Sequence, residues 1–270
     1  MLRRMLFSML LAAGLAAPAG DVLAALAYTP IFASDGPGQT SNGHFARNQF
    51  LGMVSGAGTE TFESRSGGTP LAIDFAGTPV SVTATITGAG RVSTDTTSGV
   101  RPISGERFYS VVGGAGPGGS LFTVTFSTPV TAFAFFMTDP GDWGGQLSLE
   151  IERALGGTAP LLVPNTLFSG PVESGRSMFV GLRATEIANA ISAIRFRVVD
   201  ADGGIAPEPV AGVASMLDEF GFDDMMVASI PGAVLGSNLL PPTPIPLPAG
   251  AWLLLAGLGM LGTLARRARR

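Results

Sequence analysis

Val80-Ser81-Val82-Thr83-Ala84-Thr85-Ile86-Thr87 alternates apolar and hydroxyl side chains without a break. Successive side chains on a strand point to opposite faces, so this stretch reads as a half-buried β-strand with a hydroxyl face toward water. The same period of two recurs outward from it. Residues 146–152 place Leu147, Leu149 and Ile151 on one face, with Ser148, Glu150 and Glu152 on the other. Ile194, Phe196 and Val198 alternate with Arg195 and Arg197, which sets up cross-strand pairing with the glutamates. Residues 121–126 and 130–137 are richer in aromatics, and the second reads as a strand buried on both faces. Residues 71–75, 107–112, 178–182 and 222–228 bring the set to about nine strands. Ser127-Thr128-Pro129 reads as a break between two of them.

Many short strands with turn signals and one short helix or turn, at 184–193, predict an all-β, jelly-roll-like antiparallel β-sandwich over residues 59–230. A body of roughly 170 residues buries a core without disulfide staples. Residues 28–58 are Gly-rich and weakly patterned, and are expected either to add an edge strand or to stay mobile.

Composition narrows the function classes. Cysteine is absent, which excludes disulfides, thiolate nucleophiles and Cys-metal sites together. Lysine is absent as well, so all 16 basic residues are Arg. Six of these crowd the two termini, leaving ten in the region between them against 20 Asp and Glu. That balance lacks the basic footprint of nucleic-acid binding.

Both ends read as addresses. Arg3 and Arg4 precede an uncharged run from 5 to 17, and Ala25-Leu26-Ala27 supplies a small-x-small cleavage site before Tyr28. Residues 1–27 are therefore a signal peptide for signal peptidase, with cuts after Ala19 or Ala24 as alternatives. At the other end, residues 231–246 form a Pro-rich spacer that favours polyproline II. Leu247 to Ala265 is a run of 19 uncharged residues, about 28 Å as a helix, which just crosses a bilayer. Arg266, Arg267, Arg269 and Arg270 then favour the cytoplasmic side.

Pro246-Leu247-Pro248-Ala249-Gly250, the apolar segment beginning at Trp252 and the terminal Arg cluster resemble the VPLPA-CTERM variant of the PEP-CTERM sorting signals of Gram-negative bacteria. Ile245 stands where that family carries Val. The likeness covers about the last 25 residues, 247–270 holding the helix and Arg tail. It implies transient membrane anchoring, cutting by an exosortase-type protease, and delivery to the cell surface or extracellular matrix, often alongside exopolysaccharide.

Chemistry in the body is sparse. His44 is the one histidine and sits in a Ser41-Asn42-Gly43-His44 turn, where a solvated loop residue is expected. Gly114-Ala115-Gly116-Pro117-Gly118-Gly119 matches G-x-G-x-x-G but leads into a strand, not the helix that a phosphate site needs; it reads as a hairpin connection. Glu150 and Glu152 share a strand face, whereas glycosidase carboxylates flank a scissile bond, so ion pairing with Arg195 and Arg197 is favoured. Glu60 and Glu63, with Asp223 and Asp224, supply the oxygens of a structural calcium site if the first and last strands are neighbours. Asp139, Asp142, Asp200 and Asp202 lie in further acidic loops, and ordinary acidic turns are the competing reading for all of these. Trp143 either stacks on a sugar ring or folds back over the sandwich edge. The expectation is a non-enzymatic surface or matrix protein that binds glycan or matrix components; the alternatives are a secreted glycan-active enzyme using Glu150 or the Asp139/Asp142 loop, and a permanently tail-anchored protein.

Overall fold

The computed structural model describes residues 27–112, 120–140, 146–164, 174–199 and 219–230. The expected signal peptide up to residue 26, Trp143, the 114–119 glycines, the loop at 200–204, the Pro-rich segment and the expected sorting signal at 246–270 lie outside the described residues. Among the described residues, no helix is long and apolar enough to cross a membrane.

Two antiparallel sheets carry the fold, as the alternation predicts. Sheet A runs β1 (Tyr28–Asp35), β11 (Ser177–Ala184), β8 (Ala132–Thr138), β13 (Glu219–Ser229), β6 (Phe108–Val112) and β5 (Arg91–Ser93), and β2 (Ser55–Glu60) also pairs with β13. Sheet B runs β10 (Thr158–Leu162), β9 (Gln146–Arg153), β12 (Ile191–Val199), β7 (Ser120–Val130), β4 (Thr83–Gly88) and β3 (Leu71–Asp74). From β6 onward the chain changes sheets at nearly every connection. β6 and β7, the strands on either side of the 114–119 glycines, lie in different sheets and do not pair as the expected hairpin. β7 also continues through Ser127-Thr128-Pro129 to Val130, so the expected break is strand, and the change of sheet falls at Thr131. Edge strands β1 and β10 each carry a proline, Pro30 and Pro160, which removes a donor that a stray strand would use.

The main core fills the space between the sheets and is aromatic at its centre. Phe122 of β7 stacks on Phe196 of β12 at 4.2 Å between ring centroids, and Phe222 of β13 meets Phe122 edge-on at 4.9 Å. Phe135 of β8 meets Phe196 at 5.1 Å. Offset and edge-on arrangements of this kind are the favoured geometries for ring quadrupoles.

A second core lies on the outer face of sheet A, beneath helix α1 (Ser41–Gly52). The expectation for 28–58 was an edge strand or a mobile segment; the segment forms β1, α1 and β2. α1 escapes the sequence pattern because its inward positions are Gly43, Ala46 and Phe50, which make only a thin apolar stripe among polar residues. What seats it is the sheet. Ala132, Ala134 and Ala228 leave a shallow bed, and Phe50 settles there against Phe179 at 6.1 Å. This explains why β8 is buried on both faces: Phe133, Phe135 and Met137 face the main core while Ala132, Ala134 and Phe136 face α1. His44 is in the first turn of α1 rather than in a loop, with its ring 5.3 Å from that of Phe136. The Asp35 carboxylate caps the helix, accepting the Asn42 and Gly43 N–H groups at 2.9 and 2.8 Å.

Candidate functional site

The four acidic residues expected to hold calcium are brought into one region. Strands β2 and β13 are neighbours, with Glu60 opposite Met225. Each carboxylate, however, has its own protein donors. Glu60 accepts the Phe62 N–H at 2.7 Å and the Arg65 guanidinium at 3.0 Å. Glu63 accepts the Glu106 and Arg107 N–H groups at 2.9 and 2.7 Å. Asp223 accepts the N–H groups of Ile103, Ser104 and Asp224 at 2.7, 3.0 and 2.7 Å, while Asp224 accepts the Ser104 hydroxyl at 2.6 Å. Among the described residues, no three His, Asp or Glu side chains are grouped so as to hold a metal ion. In this arrangement Glu63, Asp223 and Asp224 pin the 103–107 loop, and Glu60 pins the turn after β2.

The reason lies in β13. Its first half pairs with β6 and its second half with β2, and its register against β8 slips between Asp223 and Met226. Asp224 takes a left-handed φ of 46° at that bulge. Where the strand changes neighbour, backbone donors of the 103–107 loop need an acceptor, and the Asp223 side chain supplies it. Burial pushes the Asp223 carboxyl up to about 7, against the three N–H donors that favour its charged form.

The glutamates of β9 are paired as their alternation implies. Glu150 lies opposite Arg195 in the register, with Arg195 Nη1 at 3.0 Å, and also accepts from Arg197. Arg195 reaches toward Glu152 at 4.0 Å. A carboxylate whose two oxygens are each taken by a guanidinium is a poor candidate for proton transfer to a sugar. Asp139 is buried and binds the Gly175 N–H at 2.5 Å, so its described role is to fasten the start of β11.

The described surface carries an open cleft that the sequence reading does not name. It occupies about 390 Å³ at the β5–β6–β13 end of sheet A and is lined by Ala89, Gly90, Arg91, Ser110, Val112 and Glu219. α1 packs on the other end of this face, over β8 and β11. Alternation builds the cleft: Phe220 and Phe222 point into the main core, so Glu219 points outward, and Tyr109 and Val111 do the same for Ser110 and Val112. Arg91 sits opposite Ser110 in the β5–β6 register. The Glu219 carboxylate accepts hydroxyl donations from both Ser98 and Ser110. Gly90, at φ 110°, is required where it stands because a Cβ there would lie 2.6 Å from the Tyr109 ring. That close approach lets the Tyr109 hydroxyl donate to the Ala89 carbonyl at 2.5 Å and fixes the cleft floor. Burial raises the Tyr109 phenol well above its ordinary value. The sequence signal was present in the outward parity of Ser110 and Glu219, yet nothing local brings residues 109 apart together with Arg91.

No protein-family model and no curated protein sequence matches the chain. Among solved structures, the chain is similar to the K2 cleaved adhesin domain of Lys-gingipain at 14% identity, covering 64% of this chain and 99% of that one, with a TM-score of 0.36. It is also similar to TmCBM61, solved in complex with β-1,4-galactotriose, at 14% identity, covering 54% of this chain and 88% of that one, with a TM-score of 0.24.

Proposed function

We propose that this chain is an exported surface or matrix protein whose jelly-roll-like sandwich binds glycan at the Arg91–Ser110–Glu219 cleft without turning it over. The observation that carries the reading is the Glu219 carboxylate, oriented by two serine hydroxyls beside an exposed guanidinium and an exposed Val112 side chain. Sugar hydroxyls are matched by such a set: the carboxylate accepts, Arg91 donates, and Val112 and Ala89 meet the apolar ring face. Among the described residues the cleft lining holds one carboxylate, and glycoside hydrolysis ordinarily uses two that flank the bond. The tail at Pro246 to Gly250 directs the protein to an exosortase-type protease, which releases it from the membrane.

The test is a panel of neutral and acidic polysaccharides, run by affinity electrophoresis and calorimetry with the purified body and with Arg91→Ala and Glu219→Gln. Binding that falls at least tenfold in both variants, with no new reducing ends over time, supports the reading. Binding unchanged in both variants removes the cleft, and new reducing ends would establish an enzyme.

A further inference from the structure

The charge around the Arg91–Ser110–Glu219 cleft narrows what its wall can accept. Between the two terminal clusters the chain holds ten Arg, and all ten are among the described residues. Of these, Arg91 lines the cleft. Arg107, just before β6, is turned away and donates to the Arg65 carbonyl at 2.9 Å. Arg65 is itself paired with Glu60 and Asp74, while Arg195 and Arg197 are paired with Glu150 on sheet B.

Arg91 has acidic company. Glu219 lines the same cleft, its two oxygens held by Ser98 and Ser110. Asp95 is close by. Its carboxyl is held below the ordinary value, first by the Thr97 hydroxyl and N–H at 2.8 and 3.0 Å and then by the Arg91 guanidinium. One cation thus stands against two carboxylates at this end of sheet A. The stretches of sequence that adjoin the wall add to the imbalance. Residues 113–119 are uncharged, and 200–218 contain Asp200, Asp202, Glu208 and Asp218 without a basic residue. Wherever they lie, they bring no positive charge to the cleft.

We infer that the cleft takes neutral polysaccharide and excludes polymers of uronic acids. This rests on the glycan-binding reading and names the class of glycan within it. A polymer with a carboxylate on each sugar meets like charge from Glu219, from Asp95 and from the acidic body as a whole, which suppresses its encounter. A neutral sugar meets none of that repulsion. Its hydroxyls donate to Glu219 and accept from Arg91 while its ring face lies on Val112 and Ala89.

Affinity electrophoresis of the purified exported protein tests this, with neutral glucan, mannan and galactan beside alginate and polygalacturonate, each at low and high salt. At least one neutral polymer should bind with an affinity that salt hardly changes, and neither acidic polymer should bind. Asp95→Asn removes one repelling carboxylate and should raise binding of the acidic polymers at low salt, an effect that high salt abolishes. No rise would overturn charge as the basis of exclusion. Acidic polymers binding the unaltered protein as tightly as neutral ones, with loss in Arg91→Ala, would overturn the inference and leave the glycan reading standing. Neutral binding unchanged in both Arg91→Ala and Glu219→Gln would put the glycan elsewhere and overturn it too. Binding of none of the polymers would overturn both readings together.

Discussion

The carboxylate of Asp223 accepts the backbone N–H of Ser104 at 3.0 Å, joining residues 119 apart at the point where β13 trades β6 for β2. An acidic side chain here does the work of a missing neighbouring strand. Asp223→Ala strips the acceptor from three N–H groups at once, and a loss of about 2–4 kcal/mol is expected in urea unfolding.

The same residue makes stability depend on pH. Its folded pKa, about 7, is raised above the ordinary 3.8, chiefly by burial. A group shifted in that direction contributes its stability fully below the unfolded value and loses it as pH rises through the folded one. Stability should therefore fall between about pH 4 and pH 7, by no more than about 4 kcal/mol at 1.36 kcal/mol per unit. Asp223→Asn should flatten that slope, and melting curves at several pH values measure it directly.

Phe50 is the plug of the second core, fully buried between α1 and sheet A. Phe50→Ala should cost about 3–5 kcal/mol. Gly43→Ala should also destabilise, by about 1–3 kcal/mol, because the new methyl lies 2.7 Å from Cε1 of buried Phe136. That clash outweighs the helix-propensity gain of about 1 kcal/mol. For the same reason a fragment of residues 59–230 exposes Phe136 and Phe179, and should melt below a fragment of residues 27–230.

Glu150 is ordinary surface chemistry on a flat sheet face. Its side chain remains 28% exposed, and Arg195 is 43% exposed. Glu150→Gln should change stability by less than about 1 kcal/mol and leave polysaccharide binding untouched. A large loss of binding would move the functional face from sheet A to sheet B.

Mass spectrometry of surface-released protein should find a C-terminus near Pro246 to Gly250. Released protein ending in Arg270, or protein held wholly in membranes, would leave a plain tail anchor in place of a sorting signal.

The strands were legible because a half-buried strand writes its environment into alternate residues, Ala84 and Ile86 inward and Thr83, Thr85 and Thr87 outward, although the strand begins at Thr83 and leaves Val80 exposed ahead of it. The pairing of Glu150 with Arg195 was legible for the same reason, since both stand on outward positions of neighbouring strands. Three things were not. α1 has almost no apolar face of its own, and it is helical because Asp35 caps it and a bed of alanines receives Phe50. The acidic residues 60, 63, 223 and 224 read as oxygen ligands in isolation; which donors they meet depends on the bulge at Asp224 and the loop laid against it. The cleft depends on strand order, which places Glu219, Ser110 and Arg91 on three adjacent strands. Local alternation records which way a side chain points, because that is set by its own backbone and burial. It carries no record of which strand lies alongside, because that is chosen by packing energy summed over the whole sandwich.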